Sequence, residues 1–193
     1  MKQTEIVLLA SRSPRRAELL GQVGIRFRLA VANVDERTGS GEAPQDYVLR
    51  LAGEKAAAGL AQSPTALPTL GADTVVVLDN SILGKPRDLE EAAGMLQRLS
   101  GQEHLVLSAV ALALPGGPPK LALNTTRVRF APLPGEFIDW YCRAEQILDK
   151  AGAYAIQGAM GQFVAHLDGS YSGVMGLPLY ETCALLRASG VLR

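Results

Sequence analysis

Residues 69–78 read Thr-Leu-Gly-Ala-Asp-Thr-Val-Val-Val-Leu, apolar at both alternating sets of positions. Successive side chains of a strand point to opposite faces, so a run of this kind belongs at the centre of a sheet covered on both sides. The rest of the chain supplies the cover. Strand patterns fall at 5–10, 27–32, 81–83, 105–114, 120–130 and 162–166, and helical patterns at 14–23, 44–62, 89–99, 135–144 and 178–189. Asp79-Asn80 has the chemistry of a tight hairpin, and Pro-Gly-Gly-Pro-Pro at 115–119 that of a wider one, so antiparallel pairs are required. Strands and helices alternate too irregularly for a series of βαβ units. The pattern predicts a mixed α/β fold, with a long, partly antiparallel sheet and flanking helices. The 115–119 segment is too short for an interdomain linker, which leaves residues 1–193 as one domain.

Asp73 is the oddity within that central run. A buried carboxylate is costly unless it meets a metal or several hydrogen bonds. Two readings stay open at this point: a functional acid, or an acid at an exposed strand start satisfied by backbone N–H groups. Gly71, two residues earlier, would permit close approach of a ligand.

Other charges are also out of place. Ser13 has the position of an N-cap and Pro14 that of a first helical residue, which puts Arg15 and Arg16 in the first turn of a helix. Cations there oppose the helix dipole at roughly 0.3–1 kcal/mol each, whereas a bound anion would turn both guanidinium groups into ligands. Lys55 follows Leu51 by four positions and so shares the core face with Val48 and Ala52, either snorkelling or reaching a site. Lys85 follows Gly84 after a short strand paired with the Asp73 strand, and can reach the same end of the sheet. Glu36 ends a strand-and-loop segment. Gln157, between Ile156 and Gly158, offers a donor and an acceptor to a base edge or to a turn.

Composition narrows the partners. Nineteen basic and nineteen acidic residues cancel, which argues against a binder of nucleic acid polymers, so any phosphate recognition is local. No apolar stretch is long enough to suggest a membrane span, and no signal peptide is evident, so a cytoplasmic location is expected. Cys142 and Cys183 lie far apart without metal-ligand spacing and are expected to be free thiols. A phosphate-binding P-loop, a Ser-His-Asp triad and a Cys-His pair are all missing from the pattern. An arginine pair, two lysines and two acids remain, which are the parts needed to hold a polyphosphate and a divalent cation.

Six segments taken together resemble a known family. Leu9-Ala10-Ser11-Arg12-Ser13-Pro14-Arg15-Arg16, Val34-Asp35-Glu36, Glu54-Lys55-Ala56, Gly71-Ala72-Asp73-Thr74-Val75-Val76, Gly84-Lys85-Pro86 and Ile156-Gln157-Gly158 look, in order, like the Maf family of nucleoside triphosphate pyrophosphatases. The resemblance runs nearly end to end. It implies a fold related to inosine triphosphate pyrophosphatases, two lobes around a cleft, and hydrolysis of a nucleoside triphosphate to monophosphate and pyrophosphate.

Ser-Pro-Arg-Arg, Gly-Ala-Asp-Thr and Ile-Gln-Gly are similar to the branch acting on dTTP and UTP; the 7-methyl-GTP branch differs at the positions of Arg15, Thr74 and Gln157. The resemblance thus implies base discrimination by Arg15, Thr74 and Gln157, triphosphate binding by Ser11, Arg16, Lys55 and Lys85, and Asp73 as the catalytic base. It further implies a divalent cation, Mg2+ or Mn2+, on Glu36 and Asp73, and a homodimer; because metal binding and base catalysis compete for the one carboxylate of Asp73, water activated by the metal itself is the alternative. Arg12 departs from the small residue usual between the two serines. Two other functions fit the same motifs: a non-enzymatic nucleotide-binding regulator of septum formation, and a house-cleaning pyrophosphatase for modified pyrimidine nucleotides.

Overall fold

The computed structural model describes residues 7–63 and 65–192. Its frame is a mixed sheet built from β1 (Val7–Ala10), β2 (Phe27–Ala30), β3 (Thr69–Leu78), β4 (Ser81–Leu83), β5 (Glu103–Ala113), β6 (Lys120–Phe130) and β7 (Val164–Asp168). The strand order is β2-β1-β3-β5-β6-β7, with β4 added to β3. β1 runs parallel to β2 and β3, while the pairs β3–β4, β3–β5, β5–β6 and β6–β7 are antiparallel. β3 is central, as its two-faced apolar pattern requires.

Among the described residues six α-helices flank the sheet: α1 (Pro14–Gln22), α2 (Pro44–Ala61), α3 (Leu89–Leu99), α4 (Gly135–Ala144), α5 (Tyr171–Met175) and α6 (Leu179–Ala188). They divide the core in two. Val48, Ala52 and Ala56 of α2 pack on Val75, Val77, Leu107, Ala109 and Ala111. On the opposite face Leu70, Ala72, Val76, Val106 and Val110 pack with Leu19 and Leu20 of α1, Leu96 of α3, Ile138 of α4 and Leu186 of α6. The odd and even positions of β3 therefore serve different cores.

The expected elements are present, with shifted ends. Asp79 and Asn80 adopt φ of 50° and 59° and join Leu78 to Ser81 as a two-residue hairpin, matching the twist of the strands. The Asp88 carboxylate caps α3 by accepting from the Glu91 N–H at 2.8 Å, and Glu91 returns to the Arg87 N–H at 2.8 Å. Ser13 occupies the N-cap position of α1 without a side-chain cap. β2 ends at Ala30 rather than at 32, and residues 5 and 6 of the first expected strand lie outside the described residues. The strand expected at 162–166 begins at Val164, because Gly158–Phe163 forms a 3-10 run. Residues 171–175, which lie outside the helical patterns of the sequence, form α5, whose first turn is capped by the Ser170 hydroxyl accepting from the Gly173 N–H at 2.9 Å.

One edge of β3 is interrupted. β1 pairs with it at Thr69–Gly71 and β4 at Val76–Leu78, so residues 72–75 have no strand partner on that side. The chain leaving β1 at Ser11 and the chain leaving β4 at Gly84 face each other across this gap. Such a crevice at the carboxyl end of a parallel strand is where α/β sheets place ligands.

Candidate active site at the open edge of the central strand

Asp73 lies in the gap and is buried, with 8% of its surface exposed. Its partner is Lys55, also 8% exposed, whose Nζ donates to Asp73 Oδ1 at 2.8 Å. The same ammonium lies 2.7 Å from Glu36 Oε1. One cation thus joins two acids that are 37 positions apart in sequence (73 − 36). Lys85 approaches from the β4 side, its Nζ 3.4 Å from Glu36 Oε2. Half-burial pushes the Glu36 carboxyl up, but the hydrogen bond and charge of Lys55, reinforced by Lys85, outweigh it and hold Glu36 below its ordinary value.

Local packing explains why Lys55 reaches Asp73. A Cβ on Gly71 would sit 2.3 Å from the Ala52 carbonyl oxygen and 2.4 Å from the Ala56 nitrogen. The missing side chain lets the backbone of α2 lie directly on β3, and Lys55, between those two contacts, is carried over Asp73. The close approach anticipated at Gly71 is therefore that of a helix. Of the two readings left open, the exposed strand start does not hold: Asp73 is buried, and its side-chain partner is an ammonium from another element.

Glu36 belongs to a loop that its neighbours hold in place. The Tyr47 hydroxyl donates to the Glu36 carbonyl at 2.8 Å. Arg50 forms an ion pair with Glu42 at 2.6 Å and donates to the Arg37 carbonyl at 3.1 Å, while Glu42 also accepts from the Gly39 N–H. Burial and the charges of Asp73 and Glu36 push the Tyr47 phenol up to about 12, so it remains a donor at any physiological pH. Tyr47 and Arg50 did not stand out in the sequence. Their signal is position: both lie on α2, the helix that carries Lys55, eight and five residues before it.

Arg16 is bracketed by protein acceptors. Its Nε donates to the Gly176 carbonyl at 2.7 Å, Nη1 to the Ala72 carbonyl at 2.8 Å and the Ser11 hydroxyl at 3.3 Å, and Nη2 approaches Thr74 Oγ1 at 3.5 Å. Of five guanidinium N–H groups, these contacts leave one for a ligand. Withdrawal from water lowers the Arg16 pKa, and the nearby charges of Asp73 and Glu36 oppose that shift. The first-turn arginine is thus accommodated by carbonyl oxygens as well as by the field of the acid pair. Ser11 also accepts from the Ser13 N–H at 3.1 Å, closing the turn between β1 and α1. Arg12 bonds Asn33 across the surface of that turn.

Thr74 points away from Asp73. Strand alternation sends it to the opposite face, where its hydroxyl is 2.8 Å from Ser108 Oγ. Arg15 lies on this side, close enough to Tyr141 and Asp149 for its charge to act on both. Gln157 follows Ile156, which packs in the same core, and its amide has no hydrogen-bond partner among the described residues. The residues singled out in the sequence therefore sort by face: Glu36, Lys55 and Asp73 with α2, and Arg15, Thr74 and Gln157 with the other core. A ligand touching both groups has to cross the open edge at 72–75.

No group of three or more metal-ligating side chains is found among the described residues. The acid pair nevertheless suits a hard divalent cation. The Lys55 ammonium already stands between one oxygen of each carboxylate, and Mg2+ takes one or two protein carboxylates and fills its remaining positions with substrate phosphates and water.

The α/β architecture with a mixed sheet has solved counterparts. The fold is shared by the Ham1 protein of Staphylococcus aureus, at a TM-score of 0.51 and 13% identity over 95% of this chain and 98% of that one. Residues 6–189 match the family described as Maf-like protein, and the chain belongs to that family. Among its relatives, the dTTP/UTP pyrophosphatase of Escherichia coli K12 is 51% identical over 96% of this chain and 93% of its own length. The proteins of the same name from Methylococcus capsulatus and Methylobacillus flagellatus are 52% and 49% identical, over 96% of this chain and 91% and 93% of theirs. No helix of the described residues is long and apolar enough to cross a membrane.

Proposed function

We propose that this protein hydrolyses dTTP and UTP to the monophosphate and pyrophosphate. The observation that carries the reading is the buried Asp73, tied through Lys55 to Glu36 at the open edge of β3. The dTTP/UTP pyrophosphatase relatives at about half identity over nearly the whole chain support it.

In this reading the triphosphate lies over the α2 side of the gap, where Lys55, Lys85 and the remaining N–H of Arg16 neutralise its charge and Ser11 hydrogen-bonds a phosphate oxygen. Glu36 and Asp73 would hold the divalent cation, Mg2+ or Mn2+, which would offset the charge that builds on the phosphates during bond cleavage. Asp73 accepts the proton of a water whose oxygen attacks the α-phosphorus. The bond from that phosphorus to the bridging oxygen breaks, and pyrophosphate leaves with the bonding electron pair. The base crosses the edge of β3 to Arg15, Thr74 and Gln157, which select it. Residues 1–193 act as one domain, in a cytoplasmic homodimer that requires neither a nucleic acid polymer nor a membrane.

Pyrophosphate release from dTTP, UTP, CTP and 7-methyl-GTP, each with Mg2+ or Mn2+, tests the substrate. Highest kcat/KM on dTTP and UTP is expected, and preference for the methylated guanine would overturn the assignment. Asp73→Asn should abolish release with thermal melting still cooperative; retained turnover would remove Asp73 as the base.

A further inference from the structure

Ser108 is polar, fully buried, and set in an otherwise apolar stretch of β5 between Leu107 and Ala109. It lies directly across the ladder from Thr74. Its hydroxyl carries one proton, and the Gly173 carbonyl is 2.6 Å away. With that proton committed to Gly173, Ser108 can only accept in the 2.8 Å contact with Thr74, so Thr74 is the donor. The alternative acceptor for the Thr74 proton, the Gly176 carbonyl, is farther at 3.4 Å. Thr74 Oγ1 therefore turns lone pairs outward, toward Arg16 Nη2 and toward solvent. It is also the one residue of β3 that is not buried, and so open to contact with a ligand.

We propose that Ser108 is a positioning residue for base selection: by taking the Thr74 proton it makes Thr74 an acceptor, matched to a nucleobase that presents an N–H. This rests on the reading that Thr74 takes part in selecting the base. Uracil and thymine carry a hydrogen at N3, whereas cytosine presents a lone pair there. An acceptor-only Thr74 favours the first two and repels the third. Without Ser108 the Thr74 hydroxyl is free to rotate, donate to cytosine N3, and admit CTP. The two carbonyls of the 173–176 turn, held by Ser108 and by Arg16, keep this geometry rigid.

The test is the ratio of kcat/KM for UTP to that for CTP, measured on the full-length protein with thermal melting as a fold control. Ser108→Ala should lower the ratio roughly tenfold, about the worth of one hydrogen bond, and Ser108→Thr, which keeps the hydroxyl, should restore it. A structural role alone would lower the melting temperature and leave the ratio unchanged. Ser108→Cys preserves the packing with a weak donor and should also lower the ratio, so the question remains answerable if Ser108→Ala fails to fold. Thr74→Val separates the two layers. If it changes the ratio while Ser108→Ala and Ser108→Cys do not, the positioning role is overturned and Thr74 stands; if it leaves the ratio unchanged, Thr74 does not select the base and both fall.

Discussion

The Lys55 ammonium lies 2.8 Å from the Asp73 carboxylate in a contact that is buried from both sides. A pair so placed gains little net stability over an apolar substitute, because taking both charges out of water offsets their attraction. Its companion Glu36, with 45% of its side chain exposed, opens the pair to solvent on one side only.

Gly71 is the first test of how that contact is built. Gly71→Ala would place a methyl 2.3 to 2.4 Å from the backbone of α2, and backbone cannot swing aside as a flexible side chain could. The helix has to lift, taking Lys55 with it. We expect a loss of about 2 kcal/mol or more, in the range of overpacked cores, and a fall in kcat greater than that of an alanine placed at Gly94, where a Cβ would meet nothing within 4 Å. Denaturant melts and initial rates of pyrophosphate release measure both; unchanged rates would show that α2 does not need this approach.

Lys55 also predicts how metal binds. A divalent cation on both carboxylates would have the ammonium as a close neighbour, a repulsion of about 8 kcal/mol at 4 Å in a medium of effective dielectric near 20. Metal and nucleotide should accordingly bind cooperatively, with the triphosphate giving Lys55 somewhere to go. Without nucleotide, Lys55→Met should bind Mn2+ at least tenfold more tightly than the wild type, read from the free Mn2+ signal in electron paramagnetic resonance titrations. Equal or weaker affinity would mean that Glu36 and Asp73 are not the metal's ligands. Nucleotide should narrow the difference between the two proteins.

Much of this was visible before any coordinates, and what was hidden was hidden for physical reasons. The 69–78 run could be placed because an apolar pattern on both faces has few other uses, and Asp73 because a charge in it violates the pattern. Ser108 breaks the apolar run of β5 in the same way, but a hydroxyl costs less to bury than a carboxylate, so the violation was quieter. Tyr47 and Arg50 act through a backbone carbonyl and a neighbouring glutamate, which leave no mark on residue periodicity. α5 escaped because a single turn held by the Ser170 cap and ended by Gly176 at φ 118° is indistinguishable from a glycine-punctuated loop. The sorting of Asp73 and Thr74 to opposite faces followed from strand alternation alone.

Tyr47 offers a cleaner probe of the Glu36 loop than any change to Glu36 itself. Tyr47→Phe deletes one hydroxyl, the donor to the Glu36 carbonyl at 2.8 Å, and keeps the ring that Arg50 covers at 5.5 Å. The cost to stability should be about 1 kcal/mol. Because the loop is then free to shift Glu36 relative to Lys55, KM for the metal–nucleotide complex should rise several-fold. A change in melting temperature with no change in KM would confine Tyr47 to structure.

His104 makes a prediction about pH that does not involve the site. It is buried under the edge of Phe130 and Tyr154, with Nε2 2.8 Å from the Tyr154 hydroxyl and Nδ1 without a partner. Burial pulls its pKa down to about 4 from the ordinary 6.5. The unfolded chain therefore binds a proton between those values that the folded chain refuses, and stability rises with pH across that window. His104 contributes its full stability above pH 6.5 and loses it progressively down to about pH 4, an amount on the order of 3 kcal/mol for a shift of this size. His104→Phe, placed among the same aromatic rings, should flatten the stability profile between pH 4 and 6.5. It should be the less stable protein at pH 8, where the Tyr154 hydroxyl has lost its partner. Urea melts at half-unit pH intervals resolve the difference, and an equal slope in both proteins would show that another group controls the acid limb.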